Sequence, residues 1–308
     1  MAMTLLEAQK VMSGEVKRQA IIQMFAQESD IVRVMPFTDI VGGSYTYTRE
    51  GTLPGVAFRN INGSYTESVG VLNPQTEQLK ICGGDLDVDK ALLKMNGQEV
   101  RTVHEAMKVK KLMSTFTLKF IKGDSTTTPA EFDGLQTRLT GAQVISAGAT
   151  DGGAALSLAV LDQAIDAVDN PTHLLMSKAM ARRLSAAARL TTVGGYVTYS
   201  LDEFGRRAQS YNDLPILIAD RNADADAVLA FDEASAGATA TATSIYVLSF
   251  GSGMLTGIQN GAPEVTDLGE LDASPVMRTR IEWLVSILPE HGRAAARLRN
   301  IGDLAIVA

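Results

Sequence analysis

The sequence predicts an α+β protein built around a long helix, an extended β excursion and a late alternating strand. Three observations carry this. Ala106, Val109, Met113, Phe116 and Phe120 step by 3, 4, 3 and 4 between Gly97 and Gly123, which is the spacing of one apolar helical stripe. Residues 42–84 open and close on paired glycines. They hold β-favouring runs at Tyr45–Thr48 and at Tyr65, Thr66, Val69 and Val71, with turn signals at Pro54-Gly55 and Asn62-Gly63 between them. Between Met277 and Ile287 the odd positions are Met, Thr, Ile, Trp, Val and Ile, whereas 278, 280 and 282 are Arg, Arg and Glu. One face of that strand is apolar and the other charged.

The N-terminal stretch, residues 1–41, reads as helical. Thr4 and Glu7 have capping-box spacing, Val16, Ala20, Ile21, Met24 and Phe25 mark one face, and Pro36 ends the run. In the excursion, Arg49, Arg59 and Lys80 balance Glu50, Glu67 and Glu77. Two arms of roughly 15 residues at about 3.3 Å each reach some 50 Å. An isolated hairpin of that length is marginal in water, so it needs a surface, on its own globule or on another subunit. Leu53, Pro54, Gly55, Phe58, Arg59, Asn62 and Gly63 mark its tip, and Gly42, Gly43, Gly83 and Gly84 are candidate hinges at its base.

The long helix spans about Gln98 to Lys122, roughly 37 Å at 1.5 Å per residue. Gly123-Asp124, three threonines, Pro129 and Phe132–Leu135 follow as a loop. From about residue 150 the pattern is mixed α/β. Ser157 is placed to cap a helix with stripe Leu158, Leu161, Ile165 and Val168, and Asn170-Pro171 stops it. A strand at His173–Met176, a helix from Ser177 to Leu190, and strands at Pro215–Ala219, Val228–Phe231 and Ile245–Phe250 follow. The compositionally simple stretch Ala236–Thr243 reads as an exposed loop. The predicted organisation is an arm (1–41), an extended loop (42–84), a platform (85–150 with 265–308) and an insertion (151–264).

Composition excludes several classes. The 308 residues are 45% apolar and 20% charged, ordinary for a folded protein with a large core. No apolar run is long enough to cross a membrane, and no apolar signal stretch opens the chain. Cys82 is the single cysteine, so no internal disulfide and no cysteine-based zinc site can form. Twenty-eight Lys and Arg against 35 Asp and Glu leave a net charge of −7, the wrong sign for a dedicated phosphate grip.

Candidate chemistry is sparse. Gly251, Gly253 and Gly257 miss the dinucleotide spacing, and no helix opens after them. Asp85, Asp87 and Asp89 begin like a calcium loop, but Lys90 stands where the turn glycine belongs. They read better as the wet face of a strand. Asp220, Asp224 and Asp226 read as a solvated loop. Cys82 reads as a partly buried thiol, and His104, His173 and His291 have no partner close in sequence. Arg293, Arg297 and Arg299 read as surface ion-pair formers at helical spacing. No nucleophile elbow or phosphate-binding loop occurs, so no catalytic, metal or cofactor residue is assigned. The positive signals are architectural: extensions that a monomeric enzyme would not need and a subunit embracing its neighbours would.

In this order, four stretches resemble the tailed-bacteriophage major capsid proteins of the Hong Kong 97-like fold. They are Tyr45–Glu50 through Leu53–Arg59; Phe120–Asp124 with Phe132–Leu135; Gly257–Gly261; and Arg278–Trp283 with Arg293–Leu298. The resemblance implies an N-terminal arm, an extended loop lying across an adjacent subunit, a peripheral domain with a spine helix, and an inserted axial domain. It implies self-assembly into hexamers and pentamers of an icosahedral virion shell that encloses double-stranded DNA without sequence-specific binding. The shell would assemble in the host cytoplasm from a precursor that expands. Partners implied are a separate scaffolding protein, a portal protein and a cement protein, with no cofactor. Lys80 is the one lysine of the extended loop and gives no basis for a covalent cross-link. The alternatives are an encapsulin-like nanocompartment shell and a soluble α/β enzyme.

Overall fold

The computed structural model describes residues 29–96, 99–189, 197–201, 207–219, 228–272 and 274–307. The expected helical face from Val16 to Phe25 lies outside them, as do Asp220, Asp224 and Asp226. The described chain opens at Ser29, whose Oγ accepts the Val32 N–H and caps α1 (Asp30–Val34). Met35 is extended ahead of Pro36, and β1 (Phe37–Asp39) follows. Next come β2 (Ser44–Thr52), β3 (Val71–Gln78), β4 (Lys80–Asp89), α2 (Lys90–Asn96), α3 (Glu99–Lys122) and α4 (Leu135–Arg138). The chain continues through β5 (Val144–Ser146), α5 (Leu158–Asp166), β6 (His173–Met176), α6 (Lys178–Ala187), β7 (Val197–Leu201), β8 (Arg207–Tyr211) and β9 (Leu214–Ile218). It closes with β10 (Glu233–Ala234), β11 (Ala240–Leu248), β12 (Leu255–Gln259), β13 (Glu264–Glu270), β14 (Val276–Pro289) and β15 (Ala295–Ile301).

One sheet gathers strands from distant parts of the chain in the order β1-β12-β14-β13, with β4 also on β14. The alternation read at Met277–Ile287 is what lets β14 serve as its girder. Thr279, Ile281, Trp283, Val285 and Ile287 are buried on the inner face. Trp283 packs there against Phe37 and Phe116, ring centroids 5.4 and 5.0 Å away. Along α3, Val109, Met113, Phe116 and Phe120 are buried against this sheet and Ala106 is half-buried. Burying each large side chain contributes roughly 1.5–3 kcal/mol. Gly134 donates to the Gly123 carbonyl at 2.9 Å, bringing the two backbones together where α3 ends.

A second sheet runs β5-β15-β11-β6-β9-β8-β7, with β10 on β11. Helices α5 and α6 cover it with Leu161, Ile165, Met180 and Leu184, facing Leu174, Ile245, Val247 and Leu298. The two sheets divide the chain differently from the expected boundaries. Strand β12, inside the expected insertion, belongs to the first sheet, and β15, inside the expected platform, lies between β5 and β11 in the second. The chain crosses from one sheet to the other over residues 249–254 and again over 290–294.

Several expectations are corrected. Gly83 and Gly84 do not end the excursion. They stand mid-strand in β4, opposite Glu282 and Ile281 in a ten-pair ladder with β14. A Cβ on Gly83 would collide with the Ile281 carbonyl, so the position is chosen for close strand approach and cannot bend freely. Val228–Phe231 is a turn, with Val228 and Leu229 plugging the first core instead of pairing. The simple stretch is a loop only to Thr239. Beyond it, Ala242 and Thr243 are buried in β11. Ser157 precedes α5, but its side chain makes no capping bond; only its backbone carbonyl accepts the Leu161 N–H, at 3.1 Å. Arg297 and Arg299 lie on a strand, not a helix.

Candidate assembly surface

Hairpin β2–β3 is the extended loop, paired antiparallel from Ser44↔Gln78 to Thr52↔Val71. Its base is tied to the body. Period-two alternation puts Tyr45 and Tyr47 on one face, rings 6.5 Å apart, where they pack on a small cluster of Ile40, Ile258 and Leu288. The Tyr47 hydroxyl donates to the Pro289 carbonyl at 3.2 Å, and burial pushes its pKa up despite nearby Arg49. Arg49 Nε donates to the Glu290 carbonyl at 3.1 Å, its Nη2 to that of Pro289. On the return strand, Glu77 accepts two bonds from Arg138, one at 2.8 Å through Nη2 and the other through Nη1. A cleft of about 240 Å³ lies beneath this clasp, lined by Arg49, Glu77, Arg138 and His291.

The tip is built differently. Residues 53–70 carry no strand ladder. Ser68 Oγ donates to the Gly55 carbonyl at 3.1 Å, Arg59 Nη1 to that of Gly63 at 3.3 Å, and the Arg59 guanidinium lies 5.3 Å from the Tyr65 ring centre. Asn62 turns the chain at φ 66°. These local bonds hold the tip open and leave its apolar groups outside. Val56 is 97% exposed, Ile61 93% and Phe58 fully so, with Leu53, Val69 and Leu72 close behind. Apolar area of this extent on one projection marks an interaction surface. The tip is legible in the sequence as turn dipeptides; the anchors Arg49, Glu77 and Arg138 are not, because their partners lie far away in sequence.

The outer face of the first sheet carries paired charges. Asp87 meets Arg278 through two bonds of 2.6 Å, and Asp85 meets Arg280 at 2.7 and 2.9 Å. These bonds hold both carboxyls below their usual range. Asp89 Oδ1 accepts the Ala91 N–H at 2.7 Å and starts α2. The three aspartates thus serve a strand and a helix start. Arg297 pairs with buried Glu233 at 2.8 Å, and Arg293 with Asp169 at 3.3 Å.

The remaining candidates keep separate surroundings. Burial, with Glu131 nearby, pushes the half-buried Cys82 thiol up to about 11, so at neutral pH it is a thiol and a poor nucleophile. His173 is pushed down to about 4 by burial and by Arg33, and its Nδ1 lies 2.9 Å from Thr172 Oγ1. His104 is exposed on α3, and His291 faces Asp169 at 3.6 Å. Gly257 lies in β12, and its bare backbone faces Phe37. Among the described residues no three His, Cys, Asp or Glu side chains gather as a metal site, and no helix is long and apolar enough to cross a membrane.

Comparison with known proteins places this architecture. The family model described as major capsid protein GP7 matches residues 13–168. No curated protein sequence matches the chain. The chain superimposes on the holo-SrpI encapsulin complex from Synechococcus elongatus PCC 7942 with a TM-score of 0.64 and 14% identity, covering 100% of this chain and 99% of that one. For the capsid of a native GTA particle the values are 0.62 and 16%, over 89% and 91%. For Mycobacterium phage Bobi they are 0.60 and 13%, over 88% and 89%. At these identities the likeness shows the fold, which is Hong Kong 97-like.

Proposed function

Because the chain belongs to the major capsid protein GP7 family, and so is a shell subunit of a virion, we propose that hairpin β2–β3 is the element that fastens one subunit to the next. The observation that carries this is the contrast within one hairpin. Its base is clasped by Arg49, Glu77 and Arg138, while Val56, Phe58 and Ile61 at its tip touch nothing that would bury them. A neighbouring copy supplies the missing surface, and repetition of such a heterologous contact closes a shell. Gly42, at φ 111° with open space around it, and Gly43 supply the bend at the base as the shell changes size.

The further reading rests on the family. The subunits form hexamers and pentamers around double-stranded DNA, with β6, β9, β11 and their helices as the axial part and α3 as the spine of the peripheral part. The net charge of −7 supports a wall along which DNA slides without being gripped. Assembly takes place in the host cytoplasm with a scaffolding protein, around a portal, and with a cement protein on the finished shell. The role is structural, with no reaction and no cofactor assigned.

Electron microscopy of the purified chain, alone and with its scaffolding partner, tests the shell. Closed particles are expected, and small oligomers under every condition overturn it. Deleting residues 53–63 is expected to leave a folded subunit that does not assemble. Normal shells from that deletion overturn the role of the tip. The full-length superposition on an encapsulin favours one second reading, a cellular compartment. Nucleic acid inside the particles supports the phage shell, and a protein cargo supports the compartment.

A further inference from the structure

The cleft under the hairpin clasp has one positive charge left over. Period-two alternation turns Arg49 on β2 and Gln75 and Glu77 on β3 toward the body, where Arg138, Thr140 and His291 line the other wall of a space of about 240 Å³. Glu77 is matched to Arg138 through two bonds. Arg49 has no such match. Its Nε and Nη2 donate to the carbonyls of Glu290 and Pro289, and its guanidinium lies 5.5 Å from the Tyr47 ring centre, but among the described residues no carboxylate pairs with it. The Glu290 carboxylate lies outside the lining, on the side of Gly253. A guanidinium does not give up its proton, so the charge stays. It stands against the trend of a chain whose net charge is −7.

Hydrogen-bond donors surround that charge. Arg49 keeps its Nη1 group. The Arg293 N–H donates to His291 Nδ1 at 3.2 Å, so that nitrogen carries the lone pair and the ring proton sits on Nε2. Neither that proton, nor the Thr140 hydroxyl, nor the Gln75 amide has a partner among the described residues. With its one carboxylate already engaged, the lining offers donors and a cation, which is the complement of an oxyanion. The volume lies just below the about 300–1,000 Å³ usual for small-molecule pockets, so the occupant is small. We propose that the cleft between the hairpin base and the body binds the carboxylate of a small organic acid, held by Arg49 with Thr140 and His291 donating to it. Arg49 belongs to the hairpin and the other two to the body, so an occupied cleft bridges them and stiffens the root of the hairpin. The site rests on the geometry of the clasp and stands whether or not the chain builds a shell.

Saturation-transfer difference NMR of the full chain, with glutarate as the probe and ionic strength matched by sodium chloride, tests it. A signal half-saturating at about 1 mM is expected for two or three charge-assisted bonds. Arg49→Gln removes the charge but also loosens the clasp. Thr140→Val and His291→Phe leave every clasp bond in place, so they are the deciding variants. Each is expected to weaken binding about ten-fold or more. Glutarate is also expected to slow hydrogen exchange in β2 and β3 of the wild type and to leave the second sheet unchanged. No signal up to about 20 mM glutarate, or one that persists undiminished in both variants, overturns the proposal. So does glutarate that breaks assembled protein into slower-sedimenting species, which assigns the cleft to an acidic side chain of a second copy.

Discussion

A Cβ placed on Gly257 would overlap the ring of Phe37, its register partner in the parallel pair β1–β12. The absence of one side chain thus seats another. Phe37 in turn packs at a tilt against Trp283 and Phe116, so this close approach joins strand β1, the central sheet and the long helix. Gly257→Ala must push the ring or the strand aside. We expect a loss of roughly 1–3 kcal/mol, the usual cost of overpacking. A urea unfolding midpoint equal to wild type would show that the ring shifts freely.

Phe116 sits at the centre of that aromatic group, also 5.8 Å from Phe132 and 6.3 Å from Phe120. Phe116→Ala leaves a cavity that a long helix seated on the sheet by Val109, Met113 and Phe120 cannot readily collapse. A loss of about 3–5 kcal/mol is expected. An unchanged melting temperature would remove α3 from the core.

Arg138 and Glu77 hold the return strand of the extended hairpin on the body. Removing the guanidinium with Arg138→Ala leaves Glu77 without its charged partner. Freed of its clasp, the hairpin approaches the marginal stability of an isolated one. Hydrogen exchange of the amides in β2 and β3 is expected to quicken by about 10–100-fold, equivalent to about 1.4–2.7 kcal/mol, with the second sheet unaffected. Unaltered protection would mean that Tyr45 and Tyr47 suffice.

His173 makes stability depend on pH. Its folded pKa of about 4 lies below the ordinary 6.5, so the fold favours the neutral ring. Its full contribution is present above pH 6.5 and is lost as pH falls toward 4. The total is about 3 kcal/mol. Denaturation midpoints at pH 7.5 and 4.5 measure it, and His173→Gln is expected to flatten the difference. An equal drop in the variant would assign the acid sensitivity to other groups. Asp85 and Asp87 act lower still, since Arg280 and Arg278 hold them below 3.8.

What the sequence reveals is periodicity, and what it conceals is pairing at a distance. The stripe on α3 and the alternation of β14 are local patterns with one physical meaning each, so both elements are legible. The turn dipeptides at Pro54 and Asn62 likewise announce the tip. The doubled glycines at 83 and 84 mislead, because a residue without a Cβ serves a bend and a tight strand approach equally well; only the Ile281 carbonyl decides. Arg278 and Arg280 are visible as a charged face, but their match to Asp87 and Asp85 depends on a register spanning about 190 residues. Val228 and Leu229 show the converse: a short apolar run fills a core equally well from a turn. Hairpin β7–β8 and strand β13 carry too few apolar residues to announce themselves.

Strand β14 borrows its partners from residues 80–89, 255–259 and 264–270, and β15 completes the other sheet between β5 and β11. The first sheet is whole only once β14 has been made, and the second only once β15 has. A polypeptide that stops before β14 therefore lacks both layers at once. Quality control is written into the topology: only copies translated through β15 can close both sheets.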